Sequence, residues 1–213
     1  MTPAGLESTG TTRAGNGPIG ASRAFAWLLV VTGALGLTAS VVLTIDKIRL
    51  LQDPSYVPNC NINPIISCGS VMGSDQAEAF GFPNSLIGLI GFAVVVAIGV
   101  GLLAGARYRR WFWLGLQAGT VFGIGFVTWL MIQTLYRIGA LCPYCMLVWA
   151  AMIPLFWYTT LHSLRSGVIP VSARLRPAVR EALRYHWVVP ALWYAVIALL
   201  ILSRFWYYWR TLI

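Results

Sequence analysis

Residues 134–161 read TLYRIGALCPYCMLVWAAMIPLFWYTTL, and this stretch decides what kind of fold the chain has. One apolar run ends at Tyr136, only Arg137 to Ala140 intervene, and a second apolar run extends from Leu141 to Leu161. Two long apolar runs joined by so short a connection must fold back as an antiparallel helical hairpin. At the head of the second arm stands a C-x-x-C, Cys142-Pro143-Tyr144-Cys145. A pair of cysteines is therefore placed where a helix starts, at the end of an apolar hairpin.

Working outward, the same apolar character recurs. Ala24–Ile45 is an unbroken apolar run, long enough at about 1.5 Å per residue to cross a ~30 Å hydrocarbon layer. It is longer than a signal-peptide core and lacks a clean cleavage site, so an uncleaved span is expected. Asn84–Leu103 and Trp111–Tyr136 are the second and third spans, Leu141–Leu161 the fourth, and Val188–Phe205 a fifth. Trp206, Tyr207, Tyr208 and Trp209 follow it as an interfacial aromatic belt. On the third span Gly115, Gly119 and Gly123 recur every fourth residue, a stripe that lets a neighbouring helix come close.

The composition agrees. Of 213 residues, 58% are hydrophobic and only 10% charged, against about 25% charged in a soluble domain. Disordered, fibrous and small disulfide-rich secreted classes are excluded, and the expectation is an all-α membrane protein. The net charge of +9 would suggest nucleic acid in a soluble protein; here the basic residues sit between apolar runs, so no nucleic-acid partner is expected.

Five spans put the chain ends on opposite sides. Arg13, Arg23, the Arg107–Arg109–Arg110 turn and the five arginines from Arg165 to Arg184 fall on one side. Lys47, Arg49, Arg137, Arg204 and Arg210 fall on the other. The richer side is cytoplasmic by the positive-inside rule, and both cysteine pairs then face outward, where disulfides persist. Residues 1–23 read as a disordered cytoplasmic tail and residues 162–187 as a basic cytoplasmic loop. Its arginines are read as orienting charge in contact with anionic lipid. Residues 188–213 hold the fifth span and an outer C-terminus.

All four cysteines lie in two close pairs, Cys60/Cys68 in the loop after the first span and Cys142/Cys145 at the mouth of the fourth. A helix N-terminus favours a thiolate, which thiol–disulfide exchange requires. Two other readings stay open: a zinc site built from the cysteines, although no histidine lies near them, and plain structural disulfides. Read as a relay, the loop pair takes electrons from a soluble dithiol protein and passes them to the membrane pair. No haem, flavin or dinucleotide motif is present, so the natural two-electron acceptor for the membrane pair is a quinone dissolved in the bilayer.

The ordered set Cys60-x7-Cys68, Ser74, Phe82-Pro83-Asn84-Ser85-Leu86-Ile87-Gly88 and Cys142-x-x-Cys145 resembles the vitamin K epoxide reductase family. The likeness covers residues 24–161. With a fifth span and no thioredoxin-like domain after it, the chain looks like the stand-alone bacterial members, particularly those of actinobacteria. The resemblance implies a four-helix bundle around a quinone, capped by the first loop and a short horizontal helix near Ser74–Phe80. It implies an oxidoreductase that reoxidises a DsbA-like thioredoxin-fold protein outside the cytoplasm, with menaquinone expected, ubiquinone as the alternative, and no metal. Cys145 would be the thiolate meeting the quinone and Cys142 its disulfide partner. Cys68 would attack Cys142, and Cys60 would form the mixed disulfide with the partner protein.

Further site residues come from the same likeness. Ser74 occupies the position of a hydroxyl near the active site, and Asn84 that of an amide bonding a quinone oxygen; helix capping is the ordinary alternative, and it accounts for Asn84 equally well and for Ser74 less well. Trp149 stands where the vertebrate enzymes have a tyrosine. Met72 and Ile87 would be apolar wall. Two alternatives remain: vitamin K epoxide reduction as the primary role, and a non-enzymatic membrane protein with structural disulfides. A DsbB-type protein is argued against, because its C-x-x-C lies in the first outer loop whereas here it opens the fourth span.

Overall fold

The computed structural model describes residues 17–210, and among these the chain is helical throughout. α1 (Arg23–Gln52) leads through a cap made of α2 (Cys68–Met72) and a single 3-10 turn (Asp75–Glu78) into α3 (Ser85–Leu103). α4 (Arg110–Gln133) continues through a π-helical turn (Thr134–Ile138) that ends at Gly139 with φ +70°, where a residue without Cβ is at ease. α5 (Pro143–Arg165), α6 (Arg176–Arg184), α7 (Val188–Arg204) and α8 (Trp206–Trp209) complete the order.

Four helices, α1, α3, α4 with its π turn, and α5, are long and apolar enough to span a membrane. The expected fifth is shorter. α7 has 17 residues, roughly 25 Å, and reaches the character of a span only together with the basic segment Ala173–Arg184, from which it is bent by 72°. The protein thus has four or five spans.

The bundle closes around α1, which packs on α3 and α5, while α4 packs on α5. α1 and α3 lie close because their glycines admit it: a methyl at Gly36 would overlap the Phe92 ring, and one at Gly88 would overlap the Ser40 hydroxyl. The stripe on α4 does something else. At Gly115 and Gly119 an added Cβ would meet nothing within 4 Å, and at Gly123 only the Met152 side chain. The expected close helix approach does not occur there, because α4 faces a cavity on that side rather than another backbone.

Beyond the four-helix part, α7 is fastened to α5 at a point the sequence makes necessary. Pro154 inside α5 donates no N–H, which leaves the Ala150 carbonyl without its helical partner. Tyr194 Oη of α7 donates to that carbonyl at 2.6 Å. At the far end Arg204 Nε donates to the Leu135 carbonyl at 2.9 Å, and Phe205, 1% exposed, packs with Leu135, Leu141 and Trp149.

Of the expected tail over 1–23, residues 1–16 lie outside the described residues. The remainder is held. Ile19 exchanges both backbone hydrogen bonds with Tyr108, its carbonyl also accepts from the buried Trp113 indole, and Ser22 Oγ caps α1.

Candidate functional site

The loop after α1 was expected to begin at Asp46, but α1 runs on to Gln52 and carries Asp46 and Lys47 into buried positions. Both are paid for by partners. Tyr56 Oη donates to Asp46 at 2.9 Å; Lys47 Nζ donates to the Met72 carbonyl at 2.8 Å and pairs with Glu78 at 2.9 Å. Lys47 thus ties the end of α2 and the 3-10 turn to α1. In the sequence it reads only as an outer-side charge. The available signal was the apolar spacing of Ile45, Ile48 and Leu51, which continues the helix past it.

Past α1, the loop is folded rather than free. Asn61 Oδ1 accepts from the Gly69 N–H, and Asn63 Oδ1 from the N–H groups of Ile65 and Ile66. A parallel bridge then joins Ile66 to Leu141: Leu141 N–H donates to Ile65 O at 2.6 Å, and Ser67 N–H to Leu141 O at 2.9 Å. Ser67 caps α2, so Cys68 opens that helix as Cys142 precedes α5. The bridge therefore lays the two cysteines side by side. Cys60 and Cys68 form a disulfide, Cys142 and Cys145 are free thiols, and Cys142 Sγ lies 3.2 Å from Cys68 Sγ.

Cys142 and Cys68 are both fully buried. The neighbouring Cys145 side chain holds Cys142 below the ordinary thiol range; burial opposes this, and the N–H groups of Cys145 and Tyr144 at the helix start add to it. The family likeness gives the role of the quinone-facing thiolate to Cys145, which lines the cavity beneath the cysteines.

Below the cysteines, a cavity of about 520 Å³ opens between α3 and α4, which make no substantial contact with each other. Its walls are almost wholly apolar and include Ile87, Gly91, Gly115, Gly119 and Phe126. Every residue named above for quinone binding lines it: Met72, Ser74, Asn84, Ile87 and Trp149, together with Lys47 and Cys145. Cys142 lies outside the lining, so of the C-x-x-C pair Cys145 borders the cavity while Cys142 lies against the loop disulfide.

The polar groups in the lining differ in availability. Ser74 Oγ donates to the Val71 carbonyl at 2.7 Å. Asn84 Nδ2 donates to the Gln76 carbonyl at 2.7 Å and its Oδ1 accepts from the Ala79 N–H at 3.2 Å, so its amide clamps the 3-10 turn. The Trp149 indole N–H makes no hydrogen bond to any described residue. It is a donor left over for an occupant, as are the side-chain amides of Gln76 and Gln133 in the same lining. The horizontal helix expected near Ser74–Phe80 is the one-turn Asp75–Glu78 segment, and Phe80 beside it is exposed and stacks toward Phe82 and Phe126.

The model of the vitamin K epoxide reductase family matches residues 27–160, well over half of the chain and the part that holds α1 to α5. No curated protein matches the chain.

Proposed function

The chain belongs to the vitamin K epoxide reductase family and is a quinone-linked thiol oxidoreductase of the membrane, and from that premise we propose that it reoxidises a DsbA-like thioredoxin-fold protein. Electrons run from the partner to Cys60/Cys68, then to Cys142/Cys145, then to a membrane quinone. The observation that carries this reading is the 3.2 Å approach of Cys142 Sγ to Cys68 Sγ, with Cys145 on the cavity side. Reacting atoms about 3–3.5 Å apart are in attack range.

The exchange balances with these sulfurs alone, starting from two disulfides. A partner thiolate attacks Cys60 and releases the Cys68 thiolate. Cys68 attacks Cys142 and releases Cys145. The partner's second thiol then resolves its bond to Cys60, and Cys60 attacks Cys68, displacing Cys142. The partner has lost two electrons and two protons; Cys142 and Cys145 have gained them. That final state has the bonding found here, Cys60–Cys68 joined and the membrane pair reduced.

A bound quinone supplies a sink for two electrons and two protons. The cavity fits one: it is apolar, its mouth has Cys145 and the free Trp149 donor, and the open glycine face of α4 leaves room for an isoprenoid chain. Closure of Cys142–Cys145 restores the starting state. On the other side of the relay, Cys60 is flanked by Val57 and Ile62, which are 66% and 69% exposed and offer an apolar collar to a docking protein. The arginine-rich ends α4 and α6 are cytoplasmic in this reading, which puts the cysteines where exported proteins acquire disulfides.

The test mixes the purified chain with a reduced DsbA-like protein and either menaquinone or ubiquinone, and follows quinone absorbance without oxygen. Reduction that needs all four cysteines supports the relay and identifies the quinone. An oxidised quinone beside two unreactive disulfides would overturn it in favour of structural bridges.

A further inference from the structure

At the end of the bundle opposite the cysteines, a groove of about 420 Å³ lies between the close of α5, residues 167–171 and α6. Arg165 lines one wall, and Arg176, Val179, Arg180 and Leu183 line the other. The last four are spaced i, i+3, i+4 and i+7, so arginines and aliphatic side chains lie side by side along α6. α6 is amphipathic, with its arginines on one side and its aliphatic side chains on the other, and the groove lies along the border between the two. Here both line the same groove, with Leu164 and Ile169 adding apolar surface.

The guanidiniums are also unbalanced. Among the described residues the only ion pair is Lys47–Glu78, far from this groove, and Glu181, the one acid on α6, is not in the lining. α6 is bent by 72° from α7, so that if α7 runs across the membrane α6 lies along its surface. A groove at headgroup depth with three unpaired cations and aliphatic walls complements a molecule that is anionic at one end and apolar at the other. We propose that it binds an anionic phospholipid, with the phosphate among Arg165, Arg176 and Arg180 and the start of an acyl chain along Val179 and Leu183. The site is independent of the redox chemistry and lies largely beyond the family-matched residues.

The test uses the full chain in neutral detergent, titrated with phosphatidylglycerol or with phosphatidylcholine of the same acyl chains, and counts retained lipid by native mass spectrometry. Wild type should retain phosphatidylglycerol selectively. Arg176→Gln/Arg180→Gln should weaken retention about 25-fold, at about fivefold per arginine near an anionic surface. Arg174→Gln/Arg184→Gln removes the same charge from the same segment outside the lining and should leave retention within about twofold. Arg176→Lys/Arg180→Lys, which keeps the charge, guards against misfolding and should retain part of the binding. Equal loss in both glutamine pairs would mean diffuse surface charge and overturn the site. So would equal retention of the two lipids, or competition by inorganic phosphate at the lipid's own concentration.

Discussion

Cys142 Sγ lies 3.2 Å from Cys68 Sγ although the two residues are 74 positions apart, and the contact is made by the Ile66–Leu141 bridge rather than by the cysteines themselves. With Cys145 replaced by serine, Cys142 has no neighbour to close on and should capture Cys68, freeing Cys60. Peptide mapping of Cys145→Ser should find a Cys68–Cys142 cross-link with Cys60 open to alkylation. Quinone turnover should fall about a thousandfold or more. A Cys60–Cys142 link instead would mean that the order of the relay is wrong.

Cys142 lies below the ordinary thiol range first because of the neighbouring Cys145 thiol. A depressed thiol stays ionised down to its own pKa, so exchange should persist below the ordinary ~8.5 and fade as pH drops through the lowered value. Cross-link formation in Cys145→Ser, which keeps a donor, should therefore show a lower pH midpoint than in Cys145→Ala. Equal midpoints would remove a donor at position 145 as the cause.

Lys47 holds the cap through the Met72 carbonyl and Glu78. Lys47→Met strands a carbonyl and a half-exposed carboxylate, a loss of about 1–3 kcal/mol. Amide exchange should accelerate across residues 68–81 while α4 and α5 stay protected, and the Cys68–Cys142 exchange should slow. Lys47→Arg should recover part of both. Uniform loss of protection across the bundle would make Lys47 a general stability residue and not a latch.

The C-terminal helix should matter to the bundle although it lies outside the family-matched residues. Tyr194→Phe leaves the Ala150 carbonyl unpaired beside Pro154 and should cost about 1–1.5 kcal/mol. Phe205→Ala, in the cluster with Leu141 and Trp149, should cost about 3–5 kcal/mol. Reversible unfolding in detergent or bicelles measures both, and no change in either would mean that α7 only rests against α5.

Gly119 and Gly36 should respond in opposite ways. Gly119→Phe fills open cavity without touching the packing, so quinone KM should rise about tenfold while the thiol exchange is unchanged. Gly36→Ala meets the Phe92 ring and should lower stability first. Loss of the Cys68–Cys142 exchange in Gly119→Phe would show that the cavity and the relay are not separable.

The apolar runs and the cysteine motifs were legible because each is a local property. Whether about 20 consecutive residues can enter hydrocarbon depends on those residues alone, and C-x-x-C at the head of a run puts two sulfurs at a helix start whatever surrounds it. The glycine stripe shows where that legibility stops. Spacing places Gly115, Gly119 and Gly123 on one face, but only the positions of α3 and α4 decide that the face meets a cavity. Asn84 is similar: its amide reaches the cavity lining, yet Gln76 and Ala79 hold it, and no feature near residue 84 announces those partners.

By itself, then, the sequence determined a helical membrane bundle, the placing of two cysteine pairs at its loops, and through its motifs the family. The tertiary structure decided which cysteine meets the loop disulfide and which the cavity, that Lys47 is a buried latch, and that α7 repairs the break at Pro154. The division has one physical reason. Partition into a membrane and helix formation are set by neighbouring residues, whereas the Cys68–Cys142, Lys47–Met72 and Tyr194–Ala150 contacts join residues 25 to 74 positions apart, and exist only once the helices have packed.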